Sequence, residues 1–130
     1  MTASIAVNTV YLETAPDGRA RLREDRVPLH EVKPQLFLSA LTPGSGFQLR
    51  QSPPGYAMGA HCTVSPAWTF VLGGALEIGL PDGTRRVFRA GEHFHANDVL
   101  PAGAIFDGSV HGHTARQVGD EPLVTVMVKQ

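Results

Sequence analysis

The chain lacks most of the features that assign a protein to a specialised class. It has one cysteine, Cys62, so no disulfide can form within it, and a reducing compartment is expected. Its 11 Lys and Arg balance 12 Asp and Glu, which leaves no basic excess for a nucleic acid or an anionic membrane. No signal-peptide pattern and no run of eighteen apolar residues occurs. We therefore expect a cytoplasmic protein with neither nucleic-acid nor membrane partners.

Turn residues and short strand signals are abundant instead. The 130 residues include 14 Gly and 10 Pro. Short β-branched or aromatic runs bounded by Gly, Pro, Asn or Asp occur at residues 7–12, 36–41, 47–51, 68–72, 75–80, 85–88 and 123–128. Pro81, Asp82 and Gly83 predict a hairpin turn, because proline fixes φ and glycine tolerates positive φ. This spacing predicts an all-β sandwich or barrel of roughly eight to eleven strands.

The organisation along the chain is that of one domain. Only residues 8–15 and 27–35 resemble helices, and two prolines limit the second segment to a single turn. We predict that residues 1–46 contribute N-terminal strands that pack on the outside of a barrel, whose core is formed by residues 47–130. The stretch 97–110 shows no alternation and is a candidate lid.

Histidines carry the main chemical signal. Five of the six, His61, His93, His95, His111 and His113, lie in the second half of the chain, and four of them form two His-x-His pairs. Residues i and i+2 of a strand share a face, so each pair can direct two imidazoles to one point inside a barrel. Alternate histidines on an edge strand can equally face water.

Several segments resemble a small single-domain bacterial cupin over about residues 47–128. They are Gly59–His61, Trp68–Ile78, Pro81–Glu92 and Gly112–Thr114. The resemblance implies a cupin-type jelly-roll barrel that forms a homodimer through an outer sheet and the N-terminal strand. It also implies a divalent metal held by two sequence motifs, with His61 as the first histidine of one motif and His113 as the histidine of the other.

Two further ligand positions of the family differ in this chain. The second histidine position is Thr63, and the glutamate position falls near Ala67. A third metal ligand would then come from His95, His93 or His111. Such imidazole-rich sites suit Fe, Mn, Ni, Cu or Zn.

Three interpretations of the barrel interior remain open. With a metal, His61 and His113 would support oxidation, isomerisation or lyase chemistry on a small organic acid or aromatic metabolite. Without one, a neutral histidine would act as a general acid or base. Third, the histidines would only hydrogen-bond a ligand or each other. The alternative to an enzyme is a non-catalytic module that binds or senses a small ligand, and a purely structural dimer would have a filled barrel.

Other residues are candidates for the pocket wall or for supporting roles. The expected pocket residues are Tyr56, Phe106, Thr63, Trp68 and Arg50, and Arg50 would pair with a carboxylate if it points inward. Asp98 and Asp107 are turn residues, groups that orient a histidine, or oxygen ligands. Adjacent residues of a strand point to opposite faces, so Cys62 is not expected to form a nucleophilic pair with His61. We expect its side chain to be buried by packing instead.

Overall fold

Eleven β-strands and no helix make up residues 5–130, the part of the chain that the computed structural model describes. The strands are β1 (Ile5–Thr14), β2 (Ala20–Lys33), β3 (Leu36–Leu38), β4 (Gly46–Ser52), β5 (Ala57–His61), β6 (Ala67–Gly73), β7 (Ala75–Gly79), β8 (Arg85–Arg89), β9 (His93–Asn97), β10 (His113–Val118) and β11 (Leu123–Lys129). The all-β prediction is confirmed. Residues 5–130 contain no helix that is long and apolar enough to span a membrane.

The strands form two sheets that face each other. One has seven strands in the order β3-β2-β1-β9-β6-β11-β4, and the other has four in the order β5-β10-β7-β8. All neighbours are antiparallel except β1 and β9, which run parallel from Val10 opposite Phe94 to Glu13 opposite Asn97. The core lies between the sheets and contains Val10, Leu12, Val71, Leu76, Ile78, Phe88, Phe94 and Leu123.

The two sheets do not close into a single barrel, which corrects the closed barrel expected from the sequence. Within residues 5–130, no ladder of hydrogen bonds joins β4, at the edge of the large sheet, to β5, at the edge of the small sheet. Pro53 and Pro54 follow β4 directly. Because proline has no N–H, the chain cannot continue a ladder there while it crosses from one sheet to the other.

The predicted hairpin turn is present, whereas the two helix-like segments lie in strands. The turn at residues 81–83 joins β7 to β8, with Gly83 at φ +91° and its N–H donating to the Leu80 carbonyl at 3.0 Å. That prediction is confirmed. Residues 8–15 and 27–35 lie mainly in β1 and β2, so the interpretation of the second segment as a helical turn was wrong.

The N-terminal strands extend the large sheet rather than lying outside it. β1 pairs with β2 on one side and with β9 on the other. Val10 and Leu12 of β1 are almost fully buried in the core. Residues 5–14 are therefore an interior strand of the large sheet and contribute side chains to the core.

The outer face of the large sheet, which points away from the small sheet, is mostly apolar. Val7, Trp68, Phe70 and Val128 lie on it and line a cavity of about 440 Å³. Residues 39–45 connect β3 to β4, at opposite edges of the sheet, and Ser39, Ala40, Thr42 and Pro43 form another wall of the same cavity. This segment therefore passes over the outer face, and we call it the strap.

Candidate functional site

A second cavity, of about 340 Å³, lies between the two sheets beside the core. Its walls come from β4, β6 and β11 of the large sheet and from β5, β7 and β10 of the small sheet. Most of the lining is apolar, but the cavity also receives two imidazoles and several hydroxyl groups. We call it the central cavity and treat it as the candidate site.

The sheet register brings His61 and His113 together. His61 is the last residue of β5 and His113 the first of β10, and the two residues are directly paired across the ladder. Their ring centroids are 4.4 Å apart, and both side chains line the central cavity. The register thus brings together two residues that are 52 positions apart in the sequence.

A buried carboxylate orients His113. Asp98 follows β9, and its side chain has no exposed surface. The His113 Nδ1–H donates to Asp98 Oδ2 at 2.6 Å, and the Thr63 hydroxyl donates to Asp98 Oδ1 at 2.6 Å. The backbone N–H of Thr63 also donates to the Asp98 carbonyl, at 3.2 Å. Both carboxylate oxygens are thus satisfied, and His113 is fixed in one orientation.

A backbone carbonyl orients the ring of His61, also through its Nδ1 atom. Its Nδ1–H donates to the Gly59 carbonyl at 2.8 Å. Among residues 5–130, none hydrogen-bonds to the Nε2 atom of either histidine. Since the δ nitrogen is occupied in both rings, the ε nitrogen is the atom that each histidine can offer to a ligand in the cavity.

His93 and His95 lie on the outer face of the large sheet, away from the central cavity. Phe94, between them on β9, points into the core, so its neighbours must point outward. His93 hydrogen-bonds to the Thr9 hydroxyl at 3.1 Å, and burial lowers the pKa of its imidazole. His95 hydrogen-bonds to Gln130 and packs against Trp68. Neither histidine can join His61 and His113 as a metal ligand.

His111 lies in the loop between β9 and β10 and does not line the cavity either. Its Nδ1 accepts a hydrogen bond from the Asp107 backbone N–H at 3.0 Å. Within residues 5–130, no three His, Cys, Asp or Glu side chains come close enough together to hold a metal ion. The Thr63 hydroxyl is committed to Asp98, and Ala67 offers no donor atom. The donor set therefore does not fit a metal centre with three protein ligands.

The structure separates the predicted pocket residues into three groups. Arg50, Tyr56 and Thr63 line the central cavity. Phe106 lies instead in a neighbouring groove, which also includes Val99 and Leu100 of the candidate lid and which shares residues His61–Val64 with the cavity. Trp68 was expected to line the pocket, but it lies on the outer face.

Two other residues complete the description of the central cavity. Lys129 lines it and was not predicted, although alternation along Leu123, Thr125, Met127 and Lys129 was a usable signal for a common face. Cys62 lines it as well and is half-buried. Burial and the nearby Asp98 charge raise the pKa of the Cys62 thiol, so it is not an activated nucleophile.

Comparison with known proteins gives distant structural similarity only. No family model matches the chain, and no curated protein matches it. The structure is similar to that of protein NMB1881 from Neisseria meningitidis, with 17% sequence identity, a TM-score of 0.43 and coverage of 64% of this chain and 70% of that one. It is also similar to the conserved SPY1581 protein of unknown function from Streptococcus pyogenes, with 19% identity, a TM-score of 0.43 and coverage of 70% and 68%.

Proposed function

We propose that this chain is a small-molecule enzyme that transfers protons in the central cavity, with His113 and His61 as its acid–base pair. The observation that carries the proposal is the 2.6 Å hydrogen bond from His113 Nδ1–H to the fully buried Asp98 carboxylate. It leaves Nε2 of His113 as the basic atom and stabilises the imidazolium that forms when Nε2 takes up a proton.

The proposed reaction begins at a C–H bond next to a carbonyl group of the ligand. Nε2 of His113 takes the proton, and the electron pair of that bond moves to the carbonyl oxygen to give an enolate. Nε2 of the neighbouring His61, when protonated, donates a hydrogen bond to this oxygen. Return of the proton to another atom isomerises the substrate, whereas loss of a leaving group completes a lyase reaction. A positioned acid–base group of this kind contributes about 10²- to 10⁴-fold to rate.

Proton–deuterium exchange tests this proposal without knowledge of the natural substrate. Pyruvate, 2-oxobutyrate and oxaloacetate in deuterium oxide would be followed by proton NMR, which reports loss of the C–H signal next to the carbonyl. We expect the wild type to accelerate exchange for at least one probe, and His113→Asn to lower the catalysed rate by about 100-fold or more. His30→Asn, in exposed β2, serves as the control.

A rate that is unchanged in His113→Asn would refute the acid–base role. Binding of a probe without exchange would instead favour the non-catalytic module. The metal hypothesis has its own measurement, which is plasma mass spectrometry of untagged protein beside the His61→Ala/His113→Ala double variant. A stoichiometric divalent metal lost in the double variant would replace the metal-free mechanism proposed here.

The cupin-type jelly roll remains our proposal for the finer fold. Two facing, largely antiparallel sheets support it, as does the adjacency of His61 and His113 between them. Jelly rolls host unrelated chemistries, so the reaction proposed above depends on the side chains of the site and not on this assignment.

We further propose that a second copy of the chain covers the part of the outer face of the large sheet that the strap leaves exposed. Phe47, Leu49 and Leu72 are exposed by 69%, 70% and 55% and lie on the same face, with no charged residue of β4, β6 or β11 among them. Leu49, Val126 and Phe70 form one continuous row across these three strands. An exposed apolar area of this extent is typical of a protein–protein interface, and a two-fold dimer would bury the same patch of both copies.

Leu49→Glu should convert a dimer into a monomer. Burial of two unpaired carboxylates at one interface should raise the dimer dissociation constant by about 100-fold or more. Sedimentation equilibrium measures this directly. Ile105→Glu is the matched control, because Ile105 is also exposed and apolar but lies in the loop after β9. A wild-type monomer at high concentration, or equal effects of both substitutions, would contradict the proposal.

A further inference from the structure

The wall of the central cavity formed by β4 and β11 carries two cations. Arg50 lies opposite Thr125 in the register of these strands, and Lys129 lies four residues further along β11. Both side chains line the cavity, beside the inward-facing Thr125 and Met127. His61 and His113 line it from the small sheet, so the cations and the imidazoles face the same space from opposite sheets.

The position of Lys129 relates this wall to the acid–base pair. Lys129 pairs with Ala67, and Ala67 pairs with Ala96 of β9. Asp98, the partner of His113, follows two residues after Ala96. Lys129 therefore lies at the same end of the sandwich as the histidines, and Arg50 lies further along the wall on the edge strand β4; both residues are partly exposed to solvent as well as lining the cavity.

No carboxylate in residues 5–130 balances these two cations inside the cavity. The described lining includes no Asp and no Glu, and Asp98 behind it is committed to His113 and Thr63. Within residues 5–130, neither Arg50 nor Lys129 forms an ion pair. Elsewhere in the same part of the chain, Arg21, Arg23, Arg85, Arg86 and Arg116 form ion pairs, whereas Arg19, Arg26, Arg89 and Lys33 do not and also lie outside the cavity lining.

We infer that the central cavity takes a small organic carboxylate, which Arg50 and Lys129 hold against the wall of the large sheet. The guanidinium of arginine matches a carboxylate with two parallel hydrogen bonds, and a nearby ammonium adds a second charge. The volume of about 340 Å³ is at the small end for ligand sites and favours a metabolite of modest size. This inference rests on the proposed function in that the histidines act on the same ligand.

The carboxylate end and the reacting end of the ligand would thus be held by different sheets. Facing sheets lie about 10 Å apart, which a short organic acid and two long cationic side chains can span. With its carboxylate held in this way, the ligand would have a neighbouring carbon in the part of the cavity that faces the two imidazoles. Arg50 and Lys129 are then specificity-determining residues, since they select the charge of the ligand without touching the transferred proton.

Matched acid and amide probes test the charge preference. Fluorine NMR would measure binding of 4-fluorobenzoate and 3,3,3-trifluoropropanoate, each beside its own carboxamide. We expect at least one acid to bind the wild type about 10-fold more tightly than its amide, and this preference to weaken as salt rises. Arg50→Gln should abolish the preference and Lys129→Gln should reduce it.

Two control variants and one competitor complete the experiment. Arg89→Gln and Lys33→Gln remove an exposed cation outside the cavity lining and should leave the preference intact. Equal binding of acid and amide, or a preference that survives the Arg50→Gln/Lys129→Gln double variant, would overturn the inference. Competition by inorganic phosphate as strong as that by the acids would also overturn it, because the pair would then be a general anion site.

The outcome is separable from that of the proposed function. His113→Asn should still prefer the acid to the amide, because the anchoring residues are intact. A charge preference without catalysed proton exchange would leave this inference standing and refute the acid–base proposal. Exchange on the oxo acids without any charge preference would do the reverse.

Discussion

Gly112→Ala should lower the free energy of unfolding by about 3–5 kcal/mol. Gly112 has φ +76°, a conformation that costs alanine about 1–2 kcal/mol. A Cβ at this position would also lie 2.4 Å from the carbonyl oxygen of His61 and 3.1 Å from the amide nitrogen of Cys62. Both are backbone atoms, so the strand itself has to move. The displaced strand carries His61, and its pairing with His113 should loosen.

Gly103→Ala separates the two contributions. Gly103 has nearly the same φ, +79°, but an added Cβ meets nothing within 4 Å. We expect this control to lose only about 1–2 kcal/mol. Urea unfolding measures both variants, with unchanged slopes as the sign that the denatured state is the same. Equal losses in the two variants would mean that the contact with His61 contributes nothing.

Asp98→Asn should invert the tautomer of His113 and reduce catalysed exchange by about 10²- to 10⁴-fold. If the amide oxygen keeps the hydrogen bond from Thr63, its NH₂ group faces the His113 ring. Two donors cannot share one hydrogen bond, so His113 must move its proton from Nδ1 to Nε2. The atom that faces the cavity then changes from an acceptor to a donor and no longer takes a proton.

Nitrogen NMR of labelled imidazoles reads this change directly. The wild type should show a protonated Nδ1 in neutral His113, and Asp98→Asn a protonated Nε2. Asp107→Asn is a suitable control, because Asp107 was the other candidate for orienting a histidine but hydrogen-bonds Ser109 in an exposed loop. Loss of exchange without a change of tautomer would show that Asp98 acts through packing alone. Asp98→Ala should additionally destabilise the fold by about 2–4 kcal/mol, since it leaves buried donors unpaired.

The seven apolar runs bounded by turn residues correspond to β1, β3, β4, β6, β7, β8 and β11, whereas β2, β5, β9 and β10 were not among them. β2 was missed because Pro28 argues against a strand interior. β3 pairs with β2 only at His30, Glu31 and Lys33, so Pro28 has a neighbouring strand, β1, on one side only. Proline is tolerated at such an edge position, and nothing local in the sequence shows that β3 is so short.

The histidine pairs show what alternation can and cannot provide. It placed His93 and His95 on one face but did not select the face, which depends on where Phe94 packs. The phenylalanine between them was a usable signal, because the more apolar of the alternating sets faces the core. The pairing of His61 with His113 depends on the register of β5 against β10 and has no local signature.

The parallel pairing of β1 with β9 has a consequence for how the chain is made. On a ribosome, β1 and β2 can join as soon as both have emerged, but the other neighbour of β1 is encoded about 80 residues later. At about 5–20 residues per second, roughly 4–17 s separate the synthesis of Val10 from that of Phe94, and β1 lacks this neighbour throughout. β1 is thus made well before its second neighbour, and during this interval its apolar inner side chains are open to chaperones or to aggregation.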